Sequence, residues 1–210
     1  NKFGMTLFVN DGDKIKPGQK IGTLKGNVRE ILKIERVLLN FLQHLSGIST
    51  ITSKFVQEVS HTKCKILDTR KTTPGLRELE KYAVKCGGGE NHRMGLYDMV
   101  LIKDNHIAHA GSVGKAVKKA QGQGVKVEVE CDTIQQVKEA LAANADIIMC
   151  DNMSVMELKE AVSLADGKVP LEASGGINLK TVKLIAETGV DFISTGAITQ
   201  SATAVDIGLD

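Results

Sequence analysis

Three short stretches of this sequence concentrate side chains that could do chemistry. Asp68-Thr69-Arg70-Lys71-Thr72-Thr73 sets two adjacent cations beside a carboxylate. An Arg fork matches the paired oxygens of a carboxylate or phosphate, so this stretch suits an anionic ligand. An ordinary ion pair with a neighbour would account for Asp68. Gly87-Gly88-Gly89-Glu90-Asn91-His92-Arg93 joins a pliable backbone to two more donors. Its glycines follow a predicted helix instead of preceding one, which makes them a poor phosphate cradle. Lys103-Asp104-Asn105-His106 is the third. Pooled, Arg70, Lys71, His92, Arg93 and Lys103 would form a cationic pocket in a chain whose net charge is only +2. Such local concentration points to a substrate with several negative charges.

Two carboxylates, Glu130 and Asp151, close successive apolar runs. On adjacent strands they could share a divalent cation or bind sugar hydroxyls, and oxygen donors suit Mg²⁺ accompanied by a phosphorylated substrate. Capping their own following helices is the competing role. Glu128 faces the same way as Glu130 by strand alternation, so one of the two lies deeper and pairs with a cation. Ala173-Ser174-Gly175-Gly176-Ile177 and Ser194-Thr195-Gly196-Ala197 put small residues after the last two apolar runs. There, backbone N–H groups and a helix N-terminus could hold a phosphate dianion.

Elements that must position these groups follow from periodicity. Strands are expected at Lys65–Thr69, Met99–Asp104, Val125–Glu130, Asp146–Asp151, Val169–Ser174 and Asp191–Gly196. Helices lie between them. Thr73-Pro74 marks the start of one that Gly87 ends, Thr133 with Gln136 and Ser154 with Glu157 read as capping boxes, and Asn178 caps a helix that Gly189 ends. Strands alternating with helices imply right-handed βαβ units and a parallel sheet. Each strand finishes in a polar residue (Asp68, Asp104, Glu130, Asp151, Ser174, Thr195), as at the mouth of a (β/α) barrel of the phosphate-binding type. A doubly wound sheet is the competing architecture, but no G-x-G-x-x-G follows the first strand.

Residues 1–64 read differently. Asp11–Gly22 is turn-rich with alternating apolar residues and suggests short strands in a small β-rich unit. A long helix is expected from Val28 to Ser46, stopped by Gly47. Its broad apolar face (Ile31, Leu32, Ile34, Leu38, Leu39, Phe41, Leu42, Leu45) needs cover from the barrel and from another subunit. Arg36 and Asn40 share its polar stripe and would be solvated if nothing approaches them.

Composition excludes several classes. The chain has 210 residues, 42% hydrophobic and 25% charged, which excludes intrinsic disorder. With no Trp and 3% aromatics it lacks stacking platforms, and its near-neutral charge argues against a nucleic-acid partner. No apolar run is long enough to span a membrane. Cys64, Cys86, Cys131 and Cys150 form no C-x-x-C pair and read as small buried side chains. With no signal peptide evident, a cytoplasmic location is expected.

Taken together the segments resemble the quinolinate phosphoribosyltransferases (carboxylating nicotinate-nucleotide pyrophosphorylases). The resemblance rests on ERVLLNFLQHLSGIST at 35–50, DTRKTTPGLRELEKYAVKCGGGENHRMGLYD at 68–98, LIKDNH at 101–106, VEVE at 127–130, DIIMCDN at 146–152, EASGGIN at 172–178 and ISTGAIT at 193–199. It implies a phosphoribosyl transfer from phosphoribosyl pyrophosphate to the ring nitrogen of quinolinate, with decarboxylation to nicotinate mononucleotide for NAD synthesis. By the same resemblance Arg70, His92, Arg93 and Lys103 would grip the quinolinate carboxylates, and Arg36 would reach a neighbouring subunit's site. Lys71 would meet the phosphoribosyl donor or its pyrophosphate. Glu130 and Asp151 would hold the ribose and Mg²⁺, and Ser174, Gly175, Gly176 and Gly196 would bind phosphate. Lys71, Glu130 and Asp151 would carry the catalysis.

The fold expected on this reading is α/β, a phosphate-binding (β/α) barrel with the remnant of an N-terminal α/β sandwich domain. Residues 1–48 would be the end of that domain with the linking helix, and 49–210 the catalytic barrel. The resemblance also implies that Asn1 is not the native start and that the end after Asp210 is shortened. A homodimer or higher homo-oligomer with shared sites is expected. The alternatives are a related barrel acting on another heteroaromatic acid, an aldolase or isomerase using Lys126, and an inactive homologue serving as a subunit-binding partner.

Overall fold

A computed structural model describes residues 3–210. The chain opens with an antiparallel hairpin, β1 (Phe3–Leu7) against β2 (Gly22–Gly26), in register from Phe3↔Gly26 to Leu7↔Gly22. Asp11–Gly22 was expected to form strands; it is instead largely the loop joining them. Asn10 N–H donates to Asp13 Oδ2 at 2.8 Å, and Lys16 N–H to Gln19 Oε1 at 3.0 Å. Local side-chain acceptors of this kind divert backbone donors from a sheet ladder.

Asn27 caps α1 (Val28–Val59), accepting the Arg29 N–H at 3.0 Å. The expected stop at Gly47 is overturned: the helix runs straight through. Gly47 is there for close approach, because a Cβ would fall 2.2 Å from the Thr203 carbonyl oxygen. Beyond it Ile48, Thr52, Phe55 and Val59 are buried at helical spacing, so packing sustains the helix where propensity would end it. The first half is bare by comparison, with Leu32, Val37, Leu38, Phe41 and Leu42 exposed.

Six parallel strands follow: β3 (Lys65–Leu67), β4 (Val100–Ile102), β5 (Val127–Cys131), β6 (Ile147–Asp151), β7 (Leu171–Ser174) and β8 (Phe192–Ser194). Their order is β3-β8-β7-β6-β5-β4. All six lie where the apolar runs predict them, mostly with shorter ends. The segment around Glu90 pairs with the free edge of β3: its N–H donates to Ile66 O at 2.8 Å and its carbonyl accepts from Asp68 N–H at 3.2 Å. The sheet thus curls into the (β/α) barrel, with Ile66, Val127, Val129, Ile148, Leu171 and Ile193 in its core.

The helices are α2 (Arg77–Cys86), α3 (Asp104–Ala110), α4 (Val113–Ala120), α5 (Ile134–Ala142), α6 (Val155–Ala165), α7 (Val182–Ala186) and α8 (Ala197–Gln200). Both expected capping boxes form, Thr133 with Gln136 and Ser154 with Glu157. Two starts shift. α2 begins at Arg77 and not at Pro74, because Gly75 stands at φ 78° in a turn that bonds Leu76 N–H to Thr73 O. Asn178 caps the turn before α7, its Oδ1 accepting the Lys180 N–H at 2.9 Å. The glycine run also has a packing role: a Cβ on Gly87 would lie 2.5 Å from Ser49 O, and one on Gly89 2.8 Å from Thr52 Cγ2. These glycines let the chain pass against α1.

Candidate active site

Strand ends assemble the site at one mouth of the barrel. Between the ends of β6, β7 and β8 lies an open cleft of about 460 Å³, bordered by Lys71, Asp151, Ser174, Gly175, Gly176 and Gly196. Gly175 (φ 96°) and Gly176 (φ 59°) take consecutive left-handed conformations that only glycine adopts at little cost. Lys71 is anchored at its backbone, where its carbonyl accepts from Thr199 Oγ1 at 2.7 Å. Its aliphatic stem lies along the turn into α8, since a Cβ on Gly196 would sit 2.9 Å from Lys71 Cδ. The ammonium is thereby brought to the cleft and stays exposed.

Beside the cleft, carboxylate oxygens of Glu130, Asp132 and Asp151 lie within 4.8 Å of one another. Glu130 and Asp151 come from the paired strands β5 and β6, as alternation requires. Asp132 was missed by the sequence reading; it follows β5 and looks like an ordinary loop acid until the strand end is drawn in. Three oxygen donors at this spacing fit a hard cation such as Mg²⁺. Lys103, the N-cap residue of α3, donates to Glu130 Oε2 at 2.7 Å while remaining 46% exposed. Asp151 also accepts from Asn152 Nδ2 at 2.7 Å.

Arg70 is exposed at the end of β3, and Arg93 is buried nearby with Nη1 donating to Met99 O at 3.2 Å. Burial, then the Arg70 charge, disfavour the Arg93 cation and lower its pKa. Glu128 and Asp98 offset part of that repulsion, and an Arg pair of this kind suits a carboxylate ligand.

Beneath them lies a polar layer that the sequence reading resolved only in part. Asp68 is fully buried in an ion pair with Lys81, and it accepts from Asn91 Nδ2 and from the His92 N–H at 2.9 Å. Lys81 Nζ also donates to His92 O at 2.9 Å. Burial pushes Asp68 up and Lys81 down, each restrained by the other. Asp68 thus has the structural ion pair that was the modest alternative for it. Glu128, the deeper of the two β5 acids, is wholly buried with Glu172 around His92 Nε2, at 2.9 and 3.4 Å. Neither carboxylate is well aligned with the ring N–H, so the groups are in close contact without a formed hydrogen bond.

Burial pushes His92 down, while Glu128 and Glu172 pull it up more strongly, to about 10. Yet Nδ1 accepts the Arg93 N–H at 2.8 Å, and a proton on Nδ1 would point at that N–H. The hydrogen bond decides: the ring carries its proton on Nε2, facing the carboxylates. Desolvation, then Glu172, raise Glu128 to about 7. Arg36 is exposed on α1 and makes no hydrogen bond or ion pair among the described residues. The chain alone does not bring it to the cleft.

Comparison with known proteins decides the lineage. Residues 48–210 match the model for the quinolinate phosphoribosyl transferase C-terminal domain, and 1–46 match the N-terminal domain of the same family. The chain belongs to the quinolinate phosphoribosyl transferase family. It is 48% identical over 207 residues to a probable nicotinate-nucleotide pyrophosphorylase [carboxylating] of Bacillus subtilis, covering 97% of this chain and 72% of that protein. It is also 48% identical to the mitochondrial quinolinate phosphoribosyltransferase [decarboxylating] 2b of Nicotiana tabacum, over 96% of this chain but 63% of that one. The chain therefore spans less than two thirds of the tobacco relative's length. Among solved structures, nicotinate-nucleotide pyrophosphorylase from Francisella tularensis superposes with a TM-score of 0.95 at 51% identity, over 98% of this chain and 74% of that one. The Ehrlichia chaffeensis enzyme gives 0.96 at 49%, over 100% and 77%. Such likeness fits the parallel sheet described above.

Proposed function

We propose that the chain transfers the phosphoribosyl group of phosphoribosyl pyrophosphate to the ring nitrogen of quinolinate, releasing pyrophosphate and CO₂ and yielding nicotinate mononucleotide for NAD synthesis. One observation carries the reading: a glycine-lined cleft, a carboxylate cluster and two neighbouring guanidiniums lie at strand ends of one barrel in a member of this family. Each matches a part of the two substrates.

Ser174, Gly175, Gly176 and Gly196 would cradle the 5-phosphate with backbone N–H groups. Lys71 would neutralise the departing pyrophosphate. Departure of pyrophosphate builds positive charge on the ribose, which Glu130 and Asp151 stabilise from the side while orienting its hydroxyls. Mg²⁺ held by these two acids, with Asp132 beside them, would supply counter-charge for the phosphates. Arg70, Arg93 and Lys103 would grip the quinolinate carboxylates, the substrate taking Lys103 over from Glu130. Once the nitrogen is alkylated, its positive charge stabilises the electron pair that the departing CO₂ leaves on the adjacent ring carbon, and a proton from water then fills that position, so no protein nucleophile is needed. Positioning and charge carry the rate.

A second copy of the chain completes this reading. The bare stripe of α1 around Val37, Leu38, Phe41 and Leu42 offers a surface for it, and Arg36 lies on the same exposed half. The location we assign is cytoplasmic; no helix among the described residues is long and apolar enough to cross a membrane.

The test is formation of nicotinate mononucleotide from quinolinate, phosphoribosyl pyrophosphate and Mg²⁺, followed by product chromatography. Nicotinate replaces quinolinate in the control. Absence of product at millimolar substrates, or equal use of nicotinate, would reject the assignment.

A further inference from the structure

We propose that His92 is a positioning residue: it holds the backbone of Arg93 from beneath the pocket floor and does not itself touch the substrate. The proposal deepens the quinolinate reading and rests on it for the identity of the ligand that Arg93 grips.

The geometry turns the polar atoms of His92 toward the protein, three of them in hydrogen bonds. Its backbone N–H goes to Asp68 Oδ1 at 2.9 Å and its carbonyl to Lys81 Nζ at 2.9 Å. Its ring Nδ1 accepts the Arg93 N–H at 2.8 Å. Its Nε2 lies within 3.4 Å of both buried carboxylates, Glu128 and Glu172. The side chain is only 7% exposed. Nδ1 is taken and Nε2 is turned onto two buried acids, which an incoming anion would have to face. What the ring does offer is an acceptor for the first backbone donor of Arg93, the residue whose guanidinium lies beside Arg70.

Glu172 is fixed in turn by the Ser194 hydroxyl, which donates to its Oε1. The layer therefore runs from β8 through β7 and β5 to the His92–Arg93 peptide. Lys81 of α2 holds that peptide by its carbonyl, and Asp68, after β3, holds the preceding one by its N–H. A guanidinium that must meet a planar carboxylate bidentately tolerates little backbone drift, which gives such a scaffold its use.

Quinolinate binding to the intact chain, followed by titration calorimetry, tests this with a double-mutant cycle. His92→Ala is expected to weaken binding about ten- to hundredfold, the range for groups that orient a ligand-binding residue. In an Arg93→Ala background the same change should add less than about twofold, because its effect passes through Arg93. His92→Asn keeps an acceptor near the Nδ1 position and should restore most of the affinity, although it has nothing in place of Nε2. It also serves if the Ala variant does not fold. Additive losses, or an Asn variant as weak as Ala, would overturn the proposal and return His92 to direct contact. Should the wild type bind no quinolinate, the substrate assignment falls. Hydrogen exchange at the Arg93 amide of the free chain then decides: protected in wild type and Asn but not in Ala supports the positioning role, and equal protection in all three overturns it.

Discussion

Asn152 and Gly175 fit against each other so closely that a side chain at Gly175 has no room. Asn152 stands at φ 53° and directs its amide nitrogen to Asp151, while a Cβ on Gly175 would lie 2.2 Å from Asn152 Oδ1 and 2.8 Å from its backbone nitrogen. The carboxylate cluster and the phosphate cradle thus share one contact.

Gly175→Ala should therefore injure both. It introduces a backbone clash at a left-handed position, for which a cost of about 1–3 kcal/mol is usual. The expected outcome is a lower melting temperature and a KM for the phosphoribosyl donor raised about tenfold or more. A variant with wild-type values for both would show that the loop yields freely.

Lys71→Ala should separate activity from stability. The side chain is exposed and its anchor to Thr199 is a backbone carbonyl, so folding should change by no more than about 0.5 kcal/mol. Loss of a cation aimed at developing charge is expected to lower kcat about a hundredfold or more. Steady-state rates beside a denaturant titration check it, and unaltered turnover would remove Lys71 from the mechanism.

Gly47→Ala probes the crossing of the C-terminal segment over α1. Elsewhere in a helix this change would stabilise by about 1 kcal/mol. Here the new Cβ meets Thr203 O at 2.2 Å and its carbonyl carbon at 3.0 Å, so the sign should reverse to a loss of about 1–3 kcal/mol. Thermal unfolding at equal or higher temperature than wild type would contradict this packing.

The buried Glu128 sets a pH signature. Its carboxyl is raised from 4.5 to about 7, so the folded chain holds a proton that the unfolded chain releases. That contribution to stability is complete below about pH 4.5 and is lost as pH rises toward 7, with an upper size on the order of 3 kcal/mol. Stability of the wild type relative to Glu128→Gln should accordingly fall between pH 5 and 7. A difference independent of pH over that window would place the proton elsewhere.

Much of this protein was legible in its residues. Alternating apolar runs located all six barrel strands, because a parallel strand buried on both faces must be apolar along its length. Polar residues closing those runs, with Ser174, Gly175, Gly176 and Gly196, marked the mouth and its phosphate end, and local caps such as Ser154 with Glu157 needed no tertiary context. Tertiary structure decided what depends on distant partners. Gly47 reads as a helix stop until Thr203 crosses it, and Asp132 reads as a loop acid until β6 brings Asp151 beside it. The charge balance opened on a cationic pocket containing His92; the fold instead turns that ring inward onto Glu128 and Glu172, with Arg70 exposed after β3 and Arg93 buried near it. Sequence fixes which side chains a strand end carries, since alternation is local. Which way a loop side chain turns depends on the buried charges it meets, and those come from strands far along the chain.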